Sequence, residues 1–125
     1  MKSLIFLDDE RNFEDVTWVN YHEYKDVHIV RRMCDFIFVV MHMTDLENYD
    51  FSFDHDIQDF SCGVEHTGYD CVKWLCEYAL DNNLNLSNNV FYYHTQNPIG
   101  KKNMESYMTN FVKVTQWKHY KIFKS

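Results

Sequence analysis

Apolar runs of four or five residues alternate along the chain with stretches whose apolar positions recur at helical spacing. Residues 3–7 carry no helical period and read as a buried strand. Residues 27–31, 49–53 and 90–93 read as the second, third and fourth strands. Residues 33–43 place Phe36, Ile37, Val40 and Met43 on one helical face, although Ile37 to Val40 alone also fits a strand. Glu14 to Asn20 fits a short helix, against which the β-branched Val16, Thr17 and Val19 count. Thr67-Gly68-Tyr69-Asp70 is close to a capping box, and behind it Val72, Leu75, Cys76, Ala79 and Leu80 follow the spacing of an amphipathic helix that Asp81-Asn82-Asn83 stops. A last helix from Gly100 repeats that spacing in Met104, Tyr107, Met108, Phe111 and Val112. The tail beyond Thr115 offers a fifth strand at Tyr120 to Phe123 or a packed end. Strand and helix in alternation predict an α/β domain with a mostly parallel sheet and helices on both faces.

The chain has 125 residues, 46% of them apolar, which suffices for one buried core; three Gly and one Pro leave no flexible linker, so residues 1–125 form a single domain. The apolar start, Leu4 to Leu7, is too short for a signal peptide. No stretch approaches the roughly 20 apolar residues of a membrane span. A cytoplasmic protein with no membrane partner is expected. The four cysteines form no known disulfide framework and are expected reduced. Cys62, His66 and Cys71 have gaps that match no zinc knuckle. The net charge of −7 is uneven, because residues 101–125 hold six Lys against Glu105 alone, leaving −12 on residues 1–100. That acidic front disfavours nucleic-acid polymers. It tolerates a small phosphorylated ligand if a metal or local cations screen the acids. The oligomeric state is left open.

Three polar clusters follow the first, third and fourth runs directly: Asp8-Asp9-Glu10-Arg11, Asp54-His55-Asp56 and His94-Thr95-Gln96-Asn97-Pro98. The carboxyl ends of neighbouring parallel strands line one crevice, where ligands bind. Asp8 and Asp9 read as a solvated turn or, with Asp54 and Asp56, as oxygen ligands for Mg²⁺ or Mn²⁺. Arg11 can clamp a phosphate or pair with the acids around it. His55 and His94 can pack, ligate a transition metal, or act as acid and base near neutral pH. Thr95 and Asn97 supply hydroxyl and amide donors before a helix opening at Gly100, whose free N–H groups could hold an anion. Lys101 and Lys102 in the first turn run against the helix dipole unless an anion is bound there. Thr67 and Asp70 read as a helix start first and a support of the site second.

Taken together, Leu7-Asp8-Asp9-Glu10-Arg11, Ser52-Phe53-Asp54-His55-Asp56, Thr67-Gly68-Tyr69-Asp70 and His94-Thr95-Gln96-Asn97-Pro98-Ile99-Gly100 resemble the cyclic-phosphate-processing receiver domain family over roughly residues 3–112. The resemblance implies a flavodoxin-like, three-layer sandwich with a sheet of four or five strands in the order 2-1-3-4-5. It also implies an acidic pocket that processes cyclic phosphates of nucleotide or ADP-ribose type. Such domains occur in bacteriophage and bacterial systems, which would place the protein in a host cytoplasm. Asp8 and Asp9 match the paired acids after the first strand, Asp54 the phosphate-accepting position of signalling receivers, and Thr95 the hydroxyl after strand four. The Lys-Pro pair after strand five has no counterpart, and Lys118 or Lys121 is only a loose candidate. His55, His94 and Asn97 are additions to the ordinary receiver pattern.

The expected activity is a phosphoesterase that opens a cyclic phosphate on a small nucleotide-type ligand. Arg11, Thr95, Asn97, Gly100 and Lys101 would hold the phosphate, and His55, His94 and Asp54 would carry the chemistry. Asp8, Asp9, Asp54 and Asp56 would bind Mg²⁺ or Mn²⁺, or orient the histidines in a metal-free mechanism. A module that sequesters the nucleotide without turnover, and a receiver phosphorylated at Asp54, are the alternatives.

Overall fold

The computed structural model describes residues 1–124, with the side chains of residues 1–115 other than Cys62. The four apolar runs form β1 (Ser3–Leu7), β2 (Val27–Val30), β3 (Tyr49–Phe53) and β4 (Phe91–Tyr93), each within a residue of the expected bounds. All pair in parallel, in the order β2-β1-β3-β4. Every residue of β1 is buried, which is why a central strand reads as an unbroken apolar run.

Residues 33–43, which fit either period, resolve to α1 (Met33–Met41), with Phe36 and Val40 one turn apart in the core. Its first N–H is capped from a distance: Met33 donates to Asp59 Oδ2 at 3.0 Å. The second helix, α2 (Gly68–Asp81), starts at the capping box of Thr67 and Asp70. The third, α3 (Pro98–Lys124), starts two residues before the expected Gly100 and continues to Lys124, so the fifth strand expected at Tyr120 to Phe123 is helix instead. Pro98 suits a first helical position, where no N–H is needed. The side chains of Lys118 and Lys121 lie outside the described residues.

The two faces of the sheet are covered differently. Ile5, Leu7, Phe51 and Phe53 point to one side, where α2 packs between α1 and α3 over a core including Phe36, Val40, Leu75, Ala79, Met104 and Met108. Alternate residues point the other way. There Phe6, Asp50, Ser52 and Tyr92 meet residues 8–26, in which only Phe13–Asp15 forms a turn of 3-10 helix. The helix expected at Glu14 to Asn20 does not form. This face carries buried polar groups, and residues 8–26 answer them: Tyr24 donates to Asp50 Oδ2 (2.7 Å), and the Tyr21 hydroxyl meets Ser52 Oγ (2.7 Å). Three layers remain, with one cover helical and the other an aromatic coil. No described helix is long and apolar enough to cross a membrane.

Candidate functional site

Each of three adjacent strands is extended by one ladder bond past its end. Asp8 N donates to Val30 O (3.1 Å), Asp54 N to Leu7 O (3.0 Å) and His94 N to Phe53 O (3.1 Å). The register therefore places Asp8, Asp54 and His94 side by side at the carboxyl edge. One donor atom from each lies within 4.8 Å of the others, and all three residues are buried.

Asp8 is the best-held of them. Its Oδ1 accepts the N–H groups of Glu10 (2.9 Å) and Arg11 (2.8 Å), and its Oδ2 faces His94 Nε2 at 3.1 Å. Burial raises the carboxyl, but these donors outweigh it and hold Asp8 down at about 2. Asp54 sits in the opposite balance. Burial and the charge of Asp8 raise it, and hydrogen bonds from Thr95 and the His55 amide only partly offset them. Asp9, half-buried beside them, is likewise raised by burial. Arg11 serves both carboxylates, with NH1 3.4 Å from Asp8 Oδ2 and 3.8 Å from Asp54 Oδ2. Its NH2 donates to Gln96 Oε1 at 3.3 Å, and its guanidinium lies 5.2 Å from the centre of the Trp18 ring.

The cleft over these groups has a volume of about 330 Å³ and is lined by Asp8, Asp9, Arg11, Asp54, Asp56 and the Thr95–Asn97 segment, with Glu10 and Gln58 at its margin. Neither His55 nor His94 lines it. His94 is fully buried, stacked on Phe6 with ring centres 4.4 Å apart. Its Nδ1 meets Ser52 Oγ at 2.7 Å, and Ser52 Oγ in turn meets the Tyr21 hydroxyl. When the Nε2 proton faces Asp8, Nδ1 can accept from Ser52 and Ser52 from Tyr21. Burial pushes the Tyr21 phenol up to about 12, which keeps it a donor. His94 thus reaches the cleft through Asp8. His55 is partly buried, its Nδ1 2.9 Å from Asp56 Oδ1. Asp56 is exposed, held below the ordinary carboxylate range by His55, and accepts from Asn97 Nδ2 at 3.2 Å.

The phosphate-binding candidates divide. Arg11, Thr95 and Asn97 line the cleft, whereas Lys101 lines a separate groove beside β4. The Gly100 amide is occupied, donating to Asn97 Oδ1 at 3.0 Å, so the helix start is capped by the chain itself. Gly100 is needed for another reason: a Cβ there would overlap the His55 ring. At Gly68 a Cβ would collide with the Asp54 carbonyl oxygen, while its N–H donates to His55 O at 2.8 Å. Thr67 and Asp70 are spent on the cap of α2, which sets Gly68 against that strand end.

Sequence reading missed Trp18, Tyr21, Arg31 and Ser52. Trp18 Nε1 donates to the His94 carbonyl at 2.8 Å, and Arg31 NH1 donates to the carbonyls of Arg11 (2.6 Å) and Asp8 (3.2 Å), fixing the Asp8–Arg11 loop. Arg31 carried a signal, since it follows β2 at the same carboxyl edge. Ser52 was legible only as an inward polar position in an apolar strand.

A parallel β2-β1-β3-β4 sheet with an acidic cleft at its carboxyl edge defines a receiver-like, flavodoxin-like α/β domain. Residues 3–110 match the model of the cyclic-phosphate processing receiver domain, and the chain belongs to that family. No curated protein and no solved structure matches it.

Proposed function

We propose that the cleft binds a cyclic phosphate on a small nucleotide-type ligand and opens it by hydrolysis. The observation that carries this reading is the opposed pair of buried carboxylates, Asp8 held ionised and Asp54 raised, under a single guanidinium. Carboxyl groups driven apart by their surroundings are the pattern of divided acid–base roles. Arg11, at the cleft wall, would take a phosphate oxygen by charge-assisted hydrogen bonds. Thr95 and Asn97 border the same space. Asp54 would accept a proton from the attacking water, and Asp9 would return one to the departing ribose oxygen. Asp8 stays charged, and His94, locked by Ser52 and Asp8, acts through Asp8 as a positioning residue.

The donor set also suits a divalent cation. Asp8 and Asp54 converge, and one guanidinium leaves their combined charge with that of Asp9 and Asp56 in excess. Asp8 and Asp54 would hold Mg²⁺ or Mn²⁺, and the bound ion would supply charge neutralisation at the phosphoryl oxygens.

The test is a panel of nucleoside 2′,3′- and 3′,5′-cyclic phosphates, with and without Mg²⁺ and Mn²⁺, products read by chromatography and phosphorus NMR. Asp54→Asn should lower turnover by about 10²–10⁴-fold, and Arg11→Ala should weaken both binding and turnover. Ligand bound tightly and returned unchanged would replace hydrolysis by sequestration. One observation favours a second reading, a receiver phosphorylated at Asp54: Thr95 lines the same cleft as Asp54. A mass increase of one phosphoryl group on Asp54 after incubation with acetyl phosphate and Mg²⁺ would support it.

A further inference from the structure

A second cavity, larger than the cleft, is a groove of about 580 Å³ along the outer side of β4, between Trp18-Val19 and α3. It lies along the outer edge of β4, on the side where the order 2-1-3-4-5 would set a fifth strand. Its volume falls within the range of small-molecule sites. Its wall is aromatic, with Trp18, Phe91, Tyr92 and Tyr93 along one side. On its other side α3 presents Lys101, Glu105 and Thr109 beside the apolar Met108 and Val112.

The backbone beside the groove offers hydrogen-bonding groups to a flat ring. Val90 O and His94 N turn to β3, so by alternation Phe91 and Tyr93 turn their N–H and C=O groups to the open edge beside the groove. The groove also adjoins the acidic cleft. Trp18 lines the groove, while the cleft residue Arg11 stacks on its ring and its Nε1 is tied to the His94 carbonyl. Lys101 enters the groove one turn after Asn97, which lines the cleft.

We propose that this groove is the base subsite of the ligand: a nucleoside cyclic phosphate lays its heterocycle against Trp18 while its phosphate sits in the cleft at Arg11. The assignment rests on the reading of the cleft given above and adds to it the part of the ligand that is recognised. The base stacks on the exposed indole, its edge groups meet the open strand edge and the α3 side chains, and Lys101 stands near the ribose and phosphate.

The test compares adenosine 2′,3′- and 3′,5′-cyclic phosphates with the corresponding cyclic phosphates of methyl riboside, which lack the base. Affinity is read by calorimetry, or as KM where turnover occurs, and by quenching of indole fluorescence. The base should tighten binding at least about fivefold. Trp18→Ala should remove that advantage, a loss of about 5- to 150-fold at the usual worth of one aromatic stack. Thr109→Trp, an exposed position on α3 that fills the groove and touches no cleft residue, should remove it too while leaving methyl riboside binding unchanged. Equal binding of both ligand types, or an unaltered base advantage in Thr109→Trp, would overturn the subsite and leave the cleft reading standing. If the wild-type protein binds neither type, the cleft reading fails and the subsite falls with it.

Discussion

Asp8 and Asp54 lie side by side, yet replacing each by Asn should move stability in opposite directions. The Asp8 carboxyl is drawn from its ordinary 3.8 to about 2, against the opposing effect of burial, by His94 and the amides of Arg11 and Glu10. A gap of nearly two units, at about 1.4 kcal/mol each, gives the ionised group about 2.5 kcal/mol of stabilisation at neutral pH. Because the folded value is the lower one, this stabilisation is complete above about pH 4 and is lost as pH falls toward 2. Asp8→Asn also sets an amide N–H₂ or a poorer acceptor against the His94 and backbone donors. Its urea midpoint at pH 7 should fall by about 1 M, taking a slope of about 2 kcal/mol per M. The gap from wild type should narrow as the pH drops to 3 and below. Asp54 has its carboxyl raised by burial and by Asp8, so its ionised form costs stability at neutral pH. Asp54→Asn should therefore raise the midpoint at pH 7, and the gain should vanish below the ordinary carboxylate range. Equilibrium urea unfolding at pH 7, 5 and 3 reads both. An Asp8→Asn protein as stable as wild type at pH 7, or an equal fall in Asp54→Asn, would refute the opposed electrostatics on which the catalytic reading depends.

Ser52→Ala should cost about 1–3 kcal/mol in chemical unfolding, because it leaves the buried His94 Nδ1 and the Tyr21 hydroxyl without their shared partner; an unchanged midpoint would dissolve the chain from Tyr21 to Asp8. Gly68→Ala should destabilise by at least about 2 kcal/mol and lower ligand affinity together, since the new Cβ collides with the Asp54 backbone rather than a movable side chain; wild-type melting would contradict this. Thr67→Ala should lose about 1 kcal/mol by removing the α2 cap, and Thr67→Ser should recover most of it in the same thermal scan.

The sequence by itself determined the first four strands, the class of fold and the acids at the cleft. A strand buried on both faces reads as a near-continuous apolar run, so Leu4 to Leu7 of β1 stood out, β3 showed by its alternating Phe51 and Phe53, and the polar residues after them had to lie at the crevice. The α2 start was equally plain, because a capping box is a local interaction four residues long. What the tertiary structure decided is how those residues are used. Register put His94 behind Asp8 rather than over the cleft, and only packing across the sheet could join it to Ser52 and Tyr21. Residues 8–26 gave up a weak helix because the polar face of the sheet needed tyrosine hydroxyls at fixed points, a demand set by strands up to 68 residues away along the chain, as between Tyr24 and Tyr92. The Gly100 amide, a candidate anion site in one dimension, is closed by Asn97 in three. Local pattern specifies which groups reach the strand ends; which of them face a ligand depends on long-range contacts that no short stretch of sequence encodes.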